Sequence, residues 1–97
     1  MTKDLKEKLI VIANHYKFDN QKEQTIEEMA ELMVALNKFK RYGKIQRKTR
    51  KKAIITEIAD VYIMISQLSY LLDCENDVEK EIEYKINRTL KNIENEV

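Results

Sequence analysis

Ninety-seven residues run without one proline and with a single glycine, Gly43. Sheets and long loops need that punctuation, so its absence confines the chain to helices joined by short turns. The expected fold is all-α, an antiparallel helical bundle of about four helices per chain completed by dimerisation, with residues 1–97 as one domain. A lone monomer of this length buries only about 60–65% of its unfolded surface, which leaves little core to spare.

The apolar spacing places the helices. Leu5, Leu9, Ile12, Ala13 and Tyr16 mark a first helix over 4–16. Lys17 to Gln21 is a polar break, with Asp19 or Asn20 available to cap the next helix. That second helix runs from Gln21 to about Tyr42, and Gly43 suits its C-cap. It is apolar on nearly every side, the pattern of a helix buried on several faces, and in so short a chain that points to a partner subunit. The third helix, from about Gln46 to Asp73, is the most apolar stretch. A turn over 73–77, capped by Asn76 or Asp77, leads to a fourth helix over 77–94. Its stripe of Val78, Ile82, Ile86, Leu90 and Ile93 reads as core.

Charged residues make up 36% of the chain and apolar residues 43%, and the net charge of +1 argues against a globally basic nucleic-acid binder. One cysteine, Cys74, cannot form an internal disulfide and fits a reducing compartment. No apolar run approaches the roughly 20 residues of a membrane span, and the charged N-terminus is unlike a signal peptide. A cytoplasmic location without membrane contact is the expectation. His15, the sole histidine, suits a surface or capping role.

Against this apolar background stand two acidic signatures, Glu27-Glu28-Met29-Ala30-Glu31 and Glu57-Ile58-Ala59-Asp60. Residues three apart share a helix face at roughly 5–6 Å between Cβ atoms, so each signature presents a pair of carboxylates. On a helical wheel Glu28 falls among Leu32, Ala35 and Phe39, and Glu57 in line with Val61, Met64, Leu68 and Leu71. Glu31 and Asp60 lie at the borders of those stripes. An uncompensated buried carboxylate costs several kcal/mol, and a small domain has only about 5–15 kcal/mol in all. The four acids are therefore paired with buried Lys or Arg, protonated, or bound to metal. An all-oxygen ligand set of Glu28, Glu31, Glu57 and Asp60 suits a hard cation, Mg2+ with Mn2+ as the alternative. A di-iron site needs Glu-x-x-His motifs, and neither signature has a histidine. A polycarboxylate magnesium site suggests phosphate chemistry.

Cations for an anionic substrate are available in two places. Lys38 opens a stretch, 38–52, with nine Lys or Arg and no acid, suited to a nucleotide's phosphates or a nucleic acid, or simply to a solvated connection. Lys85 and Arg88, three apart on the last helix, form a second pair, which reads equally as an exposed basic pair with Glu81 as a helical partner.

Glu28-Met-Ala-Glu31, a spacer, and Glu57-Ile-Ala-Asp60 together resemble the signature of the MazG-like, all-α nucleoside triphosphate pyrophosphohydrolases. The likeness extends over roughly residues 14–90. It includes the doubled acid Glu27-Glu28, the lead-in from Gln21, the apolar run after Asp60 and the cluster Lys85-Ile-Asn87-Arg88. The resemblance implies hydrolysis of a nucleoside triphosphate to its monophosphate and pyrophosphate by an attacking water. Mg2+ would be held by Glu28, Glu31, Glu57 and Asp60, and Glu27 would help orient the water. Lys38, Lys85, Asn87 and Arg88 are the candidate substrate contacts. A homodimer or homotetramer is implied, with helices of two subunits forming the bundle. Two alternatives stand beside this reading. One is a helical nucleic-acid-binding or interaction module using the basic 38–52 stretch. The other is the sister phosphoribosyl-ATP pyrophosphohydrolases, whose Lys-rich turn before the doubled Glu is not reproduced by Gln24-Thr25-Ile26.

Overall fold

A computed structural model describes residues 1–39 and 44–96, and the described residues form three helices and no strand. Helix α1 spans Lys3–Phe39, α2 spans Lys44–Leu71 and α3 spans Glu75–Glu94. The all-α expectation holds, but the count of four does not. The break expected from Lys17 is present, as a kink where Lys17 alone is non-helical, at φ 69 and ψ 170, and two helical segments join to make α1. A non-glycine residue there costs about 1–3 kcal/mol. Asn20 eases the break by donating its side-chain amide to the Tyr16 carbonyl at 2.8 Å, in place of a backbone donor. Residues 18–20 are already helical, so neither Asp19 nor Asn20 stands at the N-cap of the segment that follows. The C-cap expected at Gly43 lies outside the described residues. His15 is exposed, edge-on to the Tyr16 ring at 4.7 Å between centroids.

The turn into α3 shows why that helix starts where it does. Asp73 adopts φ 50, a left-handed conformation that Asp tolerates better than most residues. Its N–H bonds Tyr70 O and the Cys74 N–H bonds Ser69 O, both at 3.0 Å. This six-to-one and five-to-two pairing closes α2 as a Schellman motif. The chain therefore emerges with Cys74, not Asn76 or Asp77, at the N-cap of α3, with no side-chain cap bond.

Helices α1 and α2 pack along much of their lengths, whereas α3 touches α2 sparsely and makes no close backbone approach to α1. Leu9, Ala13 and Met64 are the buried apolar residues, joined by the buried polar residues Gln21, Thr25 and Gln67. At the far end the Tyr70 hydroxyl reaches Asn14 Oδ1 at 3.1 Å. The stripe on α3 is not core: Ile82, Ile86, Leu90 and Ile93 are about half exposed, and α3 has no buried residue. Its periodicity marks a face that wants covering, and this chain does not cover it.

The shape carries the same message. The radius of gyration is 16.7 Å, against about 12.5 Å for a compact domain of this length. The accessible surface is 8324 Å2, whereas a compact monomer of this mass exposes about 5,800 Å2. Helix α2 also bears on the membrane expectation. Over Gln46–Leu71 it is long and apolar enough, by length and composition, to cross a membrane. Its last 18 residues still contain Glu57 and Asp60. A carboxylate at a bilayer centre costs about 2.5–3.5 kcal/mol on insertion scales.

Candidate metal and phosphate site

Antiparallel packing brings the two acidic signatures together. Side-chain oxygens of Glu28, Glu31 and Glu57 lie within 4.8 Å of one another. Asp60 joins them through Glu28, close enough for charge repulsion between the two carboxylates. Steps of seven along α1, from Gln21 to Glu28 to Ala35, are answered by steps of seven back along α2, from Gln67 to Asp60 to Ala53. Gln21 and Gln67 are hydrogen-bonded, Glu28 and Asp60 interact, and Ala35 and Ala53 line one cleft. Seven residues are close to two turns, so each pair lies at about the same angular setting on its helix.

Glu28 and Glu57 are half-buried, as their places in the apolar stripes imply, and Glu31 is exposed. Asp60 is half-buried as well. Two atoms stand out: Oε2 of Glu28 and Oε2 of Glu57 are each shut off from water with no hydrogen-bond partner. Such oxygens are rare in folded proteins because desolvation is uncompensated. The other Glu28 oxygen, Oε1, accepts from Gln24 Nε2 at 2.8 Å. That bond favours the charged carboxylate, but desolvation and the charges of Glu31 and Asp60 together outweigh it. The Glu28 carboxyl is held above its ordinary value of 4.5. Lys8 pairs with Asp4 at 3.1 Å and Lys22 with Glu23 at 3.7 Å, both on α1.

Beside the acids a cleft of about 420 Å3 runs between α1 and α2. Glu27, Glu31 and Glu57 line it together with Lys38 and Arg50, and Ala30, Val34, Ala35 and Ala53 contribute apolar wall. By register, Lys38 and Arg50 sit two turns along from Glu31 and Glu57, so carboxylates and cations occupy successive levels of one groove. Alanines at 30, 35 and 53 leave the space that larger side chains would fill.

The expected substrate contacts divide. Lys38 reaches the cleft, but Lys85, Asn87 and Arg88 do not line it. They sit on α3, where the Arg88 guanidinium lies over the Tyr84 ring at 5.6 Å. Of the basic stretch, Arg47 stacks on Phe39 at 5.0 Å, next to the α1–α2 connection.

Sequence reasoning passes over Arg50 as an individual residue, Gln24 as a Glu28 donor, and the buried Gln21–Gln67 pair. Arg50 stands seven residues before Glu57, as Lys38 stands seven after Glu31, and that matched spacing is a usable signal. No protein family, curated protein or solved structure matches the chain.

Proposed function

We propose that this chain is a Mg2+-dependent nucleoside triphosphate pyrophosphohydrolase of the MazG-like type, acting as an assembly of identical chains. The observation that carries the reading is the pair of orphaned oxygens, Oε2 of Glu28 and Oε2 of Glu57, inside a carboxylate cluster. A structural cluster would point those oxygens at lysine, arginine or water. A hard divalent cation supplies what they lack, and the all-oxygen donor set fits Mg2+ or Mn2+. Glu28, Glu31, Glu57 and Asp60 are the residues that would hold it. When bound, the metal supplies charge neutralisation for phosphate oxygens and a lowered water pKa.

The chain's own groups account for the rest of the chemistry. Lys38 and Arg50 offer positive charge to the terminal phosphates, two turns from the acids. The apolar wall of Ala30, Val34, Ala35 and Ala53 limits water around the reacting phosphate, which strengthens each electrostatic contact. Glu27 lines the same cleft beside Glu31 and Glu57, where it orients the attacking water and takes its proton. The products are a nucleoside monophosphate and pyrophosphate.

The unburied apolar surface supports the assembly. The chain exposes roughly 2,500 Å2 more than a compact monomer of its size, on the scale of an obligate interface. Lys85, Asn87 and Arg88, absent from this chain's own cleft, are available to a partner chain's substrate.

The deciding assay follows pyrophosphate release from a nucleoside triphosphate panel with and without Mg2+, with the monophosphate product identified. Mg2+-dependent release from at least one nucleotide is expected. Absence of release from every triphosphate tested would remove the reading.

A further inference from the structure

We infer that the buried Gln21–Gln67 amide pair sets the rotation of α1 against α2 that brings Glu28 to Asp60 and Glu31 to Glu57. The bond runs from Gln21 Nε2 to Gln67 Oε1 at 2.7 Å, and Gln67 is 1% exposed. The second arm of α1 and the body of α2 are apolar on most sides, so burial alone does not choose which faces meet. A buried polar pair does choose, because any rotation that separates the amides leaves both unpaired in a dry seam. One buried amide layer fixes register in coiled coils in this way.

The surrounding bonds are consistent with a fixed setting. The Thr25 hydroxyl donates to Gln21 O at 2.6 Å, holding the turn that carries Gln21. Gln67 Nε2 turns toward Met64 Sδ at 4.0 Å, and neither amide leaves a buried atom without a partner.

The need for such a device comes from the acids themselves. About two and three turns from the glutamines, the layers joining Glu28 to Asp60 and Glu31 to Glu57 set carboxylate against carboxylate. Like charges drive those layers apart, so an attractive layer in rigid connection must hold them in place. Gln21 and Gln67 are therefore positioning residues, remote from any substrate. Their consequence for catalysis rests on the pyrophosphohydrolase reading, whereas the geometry is independent of it.

The test separates geometry from stability and from activity. Nitroxide labels are placed at the exposed positions Lys22→Cys and Thr56→Cys in a Cys74→Ser background, diluted with unlabelled chain. Pulsed dipolar spectroscopy then reads the α1–α2 distance. The reference protein should give one narrow distribution. Gln21→Met with Gln67→Met keeps side-chain length without the amides. Its stability should match or exceed that of Gln67→Met alone, yet its distance distribution should broaden or split by about 5 Å, half a helix diameter. Turnover should fall about tenfold with KM little changed, since substrate contacts are retained and the acids are misplaced.

A sharp, unshifted distance in the folded double variant overturns the inference. If the double variant fails to fold, Gln67→Met alone is read with the same labels, and an unshifted distance there overturns it equally. A broadened distance in a protein that hydrolyses no nucleotide supports the inference and removes only the enzymatic reading.

Discussion

The α1–α2 pair and α3 are opposites in pattern and in fate. Helix α3 has the cleanest amphipathic stripe in the chain and buries none of it. Helices α1 and α2 mix apolar residues with acids and amides, yet they hold each other through Gln21, Thr25, Gln67 and Met64. An apolar stripe states that a face will be covered but not by which surface. A polar group in a seam is more selective, since it needs one particular partner. The α1–α2 pair thus has a defined partner within the chain, whereas α3 leaves its stripe largely uncovered.

The strongest way to break this contrast is to remove one acid from the packed pair. Glu57→Gln keeps the side chain's size and removes its charge, and Glu57 Oε2 is one of the two orphaned oxygens. Turnover should drop about 10²–10³-fold, the loss typical of a group that stabilises transition-state charge, while helix content by circular dichroism stays unchanged. Full activity in this variant would remove Glu57 from the site. Neutralising Glu81 on α3, outside the site, should change turnover by less than twofold.

Magnesium offers a second contrast, one that does not depend on turnover. A ligand bound only by the folded state stabilises it by about 2.7 kcal/mol at a hundred times its dissociation constant. For a domain of this size each kcal/mol is about 4–8 °C in melting temperature. Thermal melts with Mg2+ or Mn2+ at a hundred times the dissociation constant should shift upward by roughly 10–20 °C, and Glu28→Gln or Glu57→Gln should abolish the shift. A shift that survives both substitutions would place the cation elsewhere.

These contrasts mirror what is legible in the sequence. Helical content follows from missing proline and glycine, and the acid cluster follows from Glu28 and Glu57 lying inside apolar stripes. Antiparallel packing is enough to bring the two signatures together. Three features are hidden for physical reasons. Lys17 adopts a conformation that propensity disfavours, so the polar break read over 17–21 is confined to that one residue. Gln21 and Gln67 look like surface residues until two helices face each other. The α3 stripe reads as core because periodicity cannot distinguish an intramolecular partner from an intermolecular one. Lys85 and Arg88 share that ambiguity, being on the helix that packs only sparsely against the rest of the chain.

Charging the α3 stripe attacks the opposite side of the comparison. Ile86→Asp removes an apolar side chain that is 55% exposed in the single chain, so the isolated fold loses little. If α3 is covered in the assembly, the substitution forfeits about 1.5–3 kcal/mol of burial. That corresponds to roughly 10- to 100-fold weaker association. Sedimentation should show smaller species at a given concentration, with the α1–α2 distances unchanged. An unchanged association state would leave α3 outside the interface.

The smallest expected effect is a pH dependence whose sign belongs to Glu28. Its carboxyl sits above the ordinary 4.5 in the folded chain because burial and the neighbouring acids oppose its charge, despite the Gln24 bond. The folded state therefore holds this proton more tightly than the unfolded state. The stability it contributes is fully present below the unfolded value and is lost as pH rises through the folded one. Metal-free protein should accordingly lose a little stability as pH climbs from about 4.5, measured by denaturant midpoint at fixed salt. Glu28→Gln should flatten that component. With Mg2+ the slope should reverse, since proton and metal compete for one carboxylate and rising pH favours the metal. A metal-free slope of the opposite sign, or one that persists in Glu28→Gln, would show that another group dominates the acid cluster.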